Sequence, residues 1–170
     1  APADAMLFLS LLSGRNPEFL ISEQVRTAYR AKRAGIECIP VGYLLVSSPT
    51  VAQIEAMTGT HALPVSVPQI GVLHAVAAES LGFRIVYLDR GSGSPEPLPD
   101  FYAREVCAAV GVPVMVSGGI KHPSTISVLV RAGVRILAVG SLIEAQDDFA
   151  DNLARCVRAT HWKAENNSNE

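Results

Sequence analysis

The sequence predicts an α/β protein built on a parallel β-sheet, and three features indicate this class. In four places a helical pattern ends on a glycine, and an apolar run follows within two residues. These runs are nearly continuously apolar, as expected for strands that are buried on both faces. Strands and helices also alternate along the chain, which favours parallel strands joined by helical crossovers. Glycine adopts the left-handed conformation that ends a helix at little cost. The four glycines are Gly35, Gly82, Gly111 and Gly133.

Five strands and five main helices follow from this pattern. The predicted strands are residues 5–12, 37–46, 84–88, 114–116 and 135–139. Asn16 is the expected cap of the first helix, since Pro17 is favoured in a first turn and the helical pattern continues to Ala34. The other predicted helices are residues 68–81, 100–110, 123–132 and 148–160, with a shorter one near 51–57.

Composition predicts one globular domain over residues 1–162 and a polar tail over 163–170. The 170 residues are 49% apolar and 18% charged, with a net charge of -2, which gives no basic footprint for nucleic acid. Three widely spaced cysteines predict small buried thiols in a reducing compartment, and therefore a cytoplasmic protein. No apolar stretch approaches the ~18 residues of a membrane-spanning helix. The chain begins with Ala1 instead of methionine, so we expect a piece of a longer protein.

Small residues follow three of the predicted strands, where a parallel α/β sheet binds its ligands. The third strand runs into "YLDRGSG", the fourth into "VSGGI" and the fifth into "VGS". Each segment alone is equally compatible with a tight turn. Three together, two of them on consecutive strands, predict phosphate binding by backbone N–H groups. The small residues are Gly91, Ser92, Gly93, Gly118, Gly119, Gly140 and Ser141.

Other motifs are weaker. "DDFAD" at residues 147–151 spells a diphosphate-binding pattern of helical prenyl synthases, but acids are also favoured in the first turn of a helix. We interpret these aspartates as capping residues. The four histidines show no metal-ligand spacing, and "GSGSPE" departs from the dinucleotide pattern at its third glycine.

Four blocks resemble consecutive parts of the geranylgeranylglyceryl phosphate synthase family, which includes the bacterial heptaprenylglyceryl phosphate synthases. They are "ADAMLFLSLLSGRNPEFLISEQV", "GIECIPVGYLLV", "VYLDRGSGSPEPLP" and "VPVMVSGGIKHPSTISVLVRAGVRILAVGS". The resemblance implies a (βα)8 TIM barrel that joins a prenyl diphosphate to the C3 hydroxyl of sn-glycerol 1-phosphate with Mg²⁺. This chain resembles strands 4 to 8 only. The family's metal ligands lie on the first three strands, so none is assigned here.

The resemblance also implies roles for individual residues. The glycerol phosphate would be held by Tyr87, Leu88, Asp89, Arg90, Gly91, Ser92 and Gly93. Gly118, Gly119, Gly140 and Ser141 would cradle its phosphate. Asp89 would orient the attacking hydroxyl and take its proton, although the family more often has the longer glutamate. Arg90 could pair with a phosphate, but a solvated surface arginine is the commoner outcome.

Two other functions stay open from the residues. A sugar-phosphate isomerase or epimerase would need a second acid or base, and Asp89 is the only acid found at a predicted strand end. A non-catalytic partial barrel would persist by association with a partner or with itself, because its strand edges are unpaired. The lipid substrate also suggests peripheral membrane contact. The 170 residues alone are expected to be inactive in prenyl transfer.

Overall fold

The computed structural model describes residues 3–140, 142 and 149–161. Its five strands form one sheet in the order β1-β2-β3-β4-β5, and every neighbouring pair is parallel. The predicted α/β class with about five βα units of a barrel is therefore confirmed. The strands are β1 (Ala5–Leu11), β2 (Glu37–Leu45), β3 (Ile85–Asp89), β4 (Val114–Ser117) and β5 (Ile136–Ala138).

Helices connect consecutive strands, as predicted. The first begins with a π-helical turn, Glu18–Ser22, and the Asn16 side chain accepts a hydrogen bond from the Glu18 N–H at 3.0 Å. The predicted start of the last helix, residue 148, lies outside the described residues. The α-helices are α1 (Glu23–Arg33), α2 (Gln53–Thr58), α3 (Pro68–Ser80), α4 (Asp100–Ala109), α5 (Pro123–Arg131) and α6 (Phe149–Thr160).

The pleat of β3 separates two environments. Val86 and Leu88 are fully buried in the main core, which also contains Ala75 and Ala78 of α3 and three residues of α4. Ile85 points to the opposite face, where it packs with Tyr87 and with residues of β2 and β4. Because side chains alternate along a strand, Tyr87 and Asp89 lie on this second face. That face continues into the candidate site.

Three of the four helix-ending glycines have the predicted left-handed backbone: φ is 72° at Gly35, 88° at Gly82 and 103° at Gly133. The prediction for Gly111 is wrong, because α4 ends at Ala109, the next residue Val110 is extended, and Gly111 has no positive φ. A side chain stabilises this turn instead: Glu79 accepts hydrogen bonds from the Gly111 N–H at 2.8 Å and the Val112 N–H at 3.2 Å.

The three cysteines are free; Cys156 is buried as predicted, whereas Cys38 and Cys107 are only half-buried. Burial raises the pKa of the Cys107 thiol to about 11, so this group is a poor nucleophile at neutral pH. Within the described parts of the chain, none of the helices has the length and apolar character needed to cross a membrane.

Candidate phosphate-binding site

A cavity of about 320 Å³ opens at the carboxyl ends of β3, β4 and β5. Its lining includes residues from all three segments that the sequence singles out. Tyr87, Asp89, Ser92 and Gly93 lie on the β3 side, and Gly118, Gly119 and Gly140 follow β4 and β5. The structure therefore brings seven predicted site residues to one place.

Three other predicted residues do not line this cavity. Leu88 is fully buried in the helix-facing core, because neighbouring residues of a strand face opposite ways, and its contact with the substrate stays a prediction. Gly91 is buried, and a Cβ there would lie 2.5 Å from the Cβ of Ala52. Arg90 is only 2% exposed, so the expectation of a solvated arginine is wrong. Ser141 lies outside the described residues.

The glycines are required by close approach between the loops. Gly118 and Gly119 have φ of 84° and 69°, in the left-handed region. A Cβ at Gly118 would lie 2.8 Å from the Cβ of Arg90. A Cβ at Gly119 would collide with the carbonyl oxygen of Glu96 and lie 2.6 Å from the nitrogen of Pro97. The turn after β4 thus packs directly against the backbone of the loop after β3, and a larger residue has no room there.

Serine side chains hold the proline-rich loop that leads from β3 to α4. The Ser94 hydroxyl donates to the carbonyl oxygen of Glu96 at 2.7 Å and lies 2.8 Å from the Ser48 hydroxyl. The Ser94 N–H donates to the carbonyl oxygen of Gly91 at 3.2 Å. The prolines between Ser94 and α4 exclude further sheet pairing. The loop is therefore an ordered wall of the site.

Asp89 is the centre of a hydrogen-bond network and is 8% exposed. The Tyr43 hydroxyl donates to its Oδ2, and the Ser117 hydroxyl donates to its Oδ1. The Gly91 N–H also donates to Oδ1, at 3.0 Å. Tyr87 extends the network by donating to the Ser117 hydroxyl at 2.7 Å. Three donors thus converge on one carboxylate and fix its orientation.

Several participants were not singled out from the sequence. Tyr43 lies on β2 and Ser117 ends β4, and both reach Asp89 only through strand pairing. The register places Leu45 and Ser117 opposite Asp89 on either side. Ile120, Ala138 and Val139 complete the cavity wall. The serine that ends "VMVS" at a predicted strand end was the available signal for Ser117.

Burial raises the pKa of Tyr43 well above its ordinary value of 10, and the charge of Asp89 adds to this effect. Burial also raises the pKa of Tyr102 to about 12. Above pH 10 the unfolded chain loses these protons while the folded chain keeps them, so the free energy of unfolding should fall as pH rises. Each such tyrosine contributes a slope of about 1.4 kcal/mol per pH unit.

Urea unfolding between pH 8 and pH 11 measures this slope. Tyr43→Phe removes one of the ionisable hydroxyls and should make the alkaline loss of stability shallower. An unchanged slope in Tyr43→Phe would show that Tyr43 titrates in the folded protein as it does in the unfolded chain.

The described residues do not by themselves fit a magnesium ion. They contain no group of three or more histidine, cysteine, aspartate or glutamate side chains that could hold a metal. Asp89 is the only carboxylate on the described cavity wall, and donors from the protein engage both of its oxygens. Asp151, the described aspartate of the "DDFAD" segment, lies in the first turn of α6, 4.0 Å from Arg158.

Solved structures with known activities share this fold. The chain aligns with the (S)-3-O-geranylgeranylglyceryl phosphate synthase of Thermoplasma acidophilum, whose structure is a complex with sn-glycerol 1-phosphate. The TM-score is 0.86 at 30% identity, over 93% of this chain and 63% of that one. A second synthase structure, from Thermoplasma volcanium, gives a TM-score of 0.85 at 26% identity and the same coverage.

The curated relatives that the chain matches are also geranylgeranylglyceryl phosphate synthases. The geranylgeranylglyceryl phosphate synthase of Spirosoma linguale is 39% identical over 92% of this chain and 63% of the relative. That of Thermofilum pendens is 36% identical over 99% of this chain and 65% of the relative. The chain thus spans a little under two thirds of the length of these relatives. The pattern of the PcrB family matches residues 1–160, and the chain belongs to that family.

Proposed function

We propose that this chain carries the glycerol-phosphate half of a prenyltransferase active in ether-lipid biosynthesis. The enzyme would join a prenyl diphosphate, such as geranylgeranyl diphosphate, to the C3 hydroxyl of sn-glycerol 1-phosphate. The observation that carries the proposal is one cavity in which a carboxylate oriented by three protein donors faces two glycine turns. Relatives and solved structures of geranylgeranylglyceryl phosphate synthases support the choice of reaction.

The phosphate would lie against the turns at Gly118–Gly119 and Gly140 and the loop at Ser92–Gly93. Turns of this kind present backbone N–H groups to an anion, and successive N–H groups form an anion-binding concavity. Glycine permits the close approach that a phosphate oxygen needs. Ser141 stays a predicted contact. In this orientation the glycerol would extend toward Tyr87 and Asp89.

Asp89 would orient the C3 hydroxyl and accept its proton. The hydroxyl oxygen forms a bond to the first carbon of the prenyl chain, the bond from that carbon to the diphosphate breaks, and diphosphate leaves. The proton passes to Asp89 and then to solvent. Tyr43 and Ser117 hold the carboxylate in place by donating to one oxygen each.

The prenyl chain would occupy a second, mainly apolar cavity of about 300 Å³. Leu9, Leu11, Phe19, Tyr43 and Ile54 are among the residues that line it. Tyr43 connects the two cavities, because it lines the apolar one and its hydroxyl donates to Asp89 in the polar one. A prenyl diphosphate that reacts with a small polar alcohol needs an apolar cavity beside the group that accepts the proton.

Magnesium stays a prediction. When bound in a prenyltransferase it would neutralise the leaving diphosphate. The described residues of this chain offer no set of ligands for it, so no step of the proposal is assigned to a metal.

A non-catalytic partial barrel is the second candidate, favoured by the exposed side of β1. Met6, Leu7 and Leu9 are each about 40% exposed, which is typical of a strand that pairs with further structure. Self-association through this edge, a cytoplasmic location and peripheral contact with a lipid surface belong to the proposal as well. The isomerase alternative lacks support, since Asp89 is the only acid on the described wall of the cavity.

Titration of the ¹⁵N-labelled chain with sn-glycerol 1-phosphate tests the proposal. We expect saturable shifts at millimolar ligand in the amides of Ser92, Gly93, Gly118, Gly119 and Gly140. Glycerol should shift them far less, because it lacks the phosphate. If these amides stay still while others move, the assignment of the cavity is wrong. Unmoved amides everywhere would favour the non-catalytic partial barrel.

A further inference from the structure

Among the described residues, Arg90 has the largest side chain that is fully buried. It is 2% exposed although it follows directly after Asp89 in a loop. Its backbone N–H donates to the carbonyl oxygen of Ser117 at 3.2 Å, which ties β3 to β4 at the mouth of the site. Burial lowers the pKa of the Arg90 guanidinium. The group still keeps its charge, because the ordinary pKa of arginine is very high.

The charge of Arg90 is poorly compensated. Its nearest ion pair is to Glu96, at 3.8 Å from Nη2 to Oε2, and the Glu96 side chain is 66% exposed. Nε and Nη1 are buried and have no hydrogen-bond partner among the described residues. The Tyr102 hydroxyl is also buried and has no hydrogen-bond partner among the described residues. It lies close enough to Arg90 for the positive charge to oppose the rise in the pKa of Tyr102. A buried cation in this state is costly unless an anion comes near it.

Arg90 also supports the glycine turn after β4 from behind. The backbone nitrogen and Cβ of Arg90 lie 3.0 Å and 2.8 Å from the position of a Cβ on Gly118, and Gly118 lines the cavity. Glu96, its ion-pair partner, presses its carbonyl group against Gly119. The backbone and Cβ of Arg90 therefore lie directly against a turn of the proposed phosphate cradle, and Arg90 does not line the cavity.

We propose that Arg90 is a positioning residue that selects a dianionic phosphate in the adjacent cradle. The inference rests on the proposed function. Backbone N–H groups bind the anion, and the buried guanidinium adds a fixed positive potential. The attraction between this potential and the ligand increases with the negative charge of the ligand. The interaction of the guanidinium with the ligand is weakly screened, since the guanidinium is buried, and the more exposed carboxylate of Glu96 offsets it only in part.

The test compares two esters of equal shape and different charge, using the full 170-residue chain. At pH 8 sn-glycerol 1-phosphate carries a charge near −2, and the corresponding sulfate ester carries −1. We expect Arg90→Met to weaken binding of the phosphate ester about tenfold and of the sulfate ester about threefold, because the Coulomb energy scales with ligand charge. Arg90→Lys should recover most of the loss. Arg104→Met, which removes an exposed arginine, is the matched control and should change neither affinity.

Equal losses for the two esters in Arg90→Met would overturn the inference, since packing alone is insensitive to ligand charge. A wild-type chain that binds neither ester would overturn the proposed function as well. Glu96→Gln provides a second measurement that leaves Arg90 in the core. It removes the competing carboxylate and should strengthen phosphate-ester binding about threefold, whereas Glu105→Gln on the exposed face of α4 should not. Weaker or unchanged phosphate binding in Glu96→Gln would also count against the inference.

Discussion

Asp89→Asn is expected to lower kcat for prenyl transfer by about 10²- to 10⁴-fold and to leave KM for sn-glycerol 1-phosphate nearly unchanged. Asparagine has almost the same shape and can still accept hydrogen bonds from the Ser117 hydroxyl and the Gly91 N–H. It cannot take the proton of the attacking hydroxyl. The loss should therefore appear in the chemical step and hardly in substrate binding.

The measurement is transfer of a radiolabelled prenyl group with and without Mg²⁺. The 170-residue chain alone is expected to give no product, since it spans only 63% of the length of the Spirosoma linguale relative and resembles strands 4 to 8 of the barrel. The variant is therefore compared in a fusion that places an N-terminal segment with the family's first three strands ahead of Ala1. Asp100→Asn, an exposed aspartate paired with Arg104, is the matched control and should keep full activity. Equal kcat values for Asp89→Asn and wild type would remove Asp89 from the chemistry.

Gly119→Ala is expected to lower the free energy of unfolding by about 3 kcal/mol and to abolish binding of sn-glycerol 1-phosphate. Its φ of 69° strains any L-residue, and the added methyl would collide with the carbonyl group of Glu96. Relief requires the loop after β3 to move away from the turn after β4. That movement opens the cradle, so stability and binding should fall together.

Gly59→Ala separates strain from collision. Gly59 has a similar φ of 61°, at the end of α2, and a Cβ there would meet nothing within 4 Å. This control should lose only about 1 kcal/mol and bind the ester normally. Urea unfolding and calorimetric titration measure the two quantities. Equal destabilisation of both variants would show that the collision at Gly119 is relieved at no cost.

Local patterns in the sequence determined the order of strands and helices, the parallel sheet and the position of the glycine-rich segments. Helix ends, apolar runs and small-residue turns depend on neighbours within a few positions, so they can be identified without a structure. Gly35, Gly82 and Gly133 have their predicted backbone for this reason. Gly111 does not, because its turn is stabilised by Glu79, more than 30 positions away.

Tertiary structure alone decided which side chains meet at the site. Tyr43 and Ser117 reach Asp89 from strands 46 and 28 positions away, and only the register of the sheet brings their hydroxyls to its two oxygens. The pleat decided that Leu88 belongs to the core while Tyr87 and Asp89 face the cavity. Packing against the glycine turn buries Arg90, although its charge and its position in a loop predicted an exposed side chain. Burial and pairing across the sheet arise from contacts between segments distant along the chain, so no local pattern specifies them.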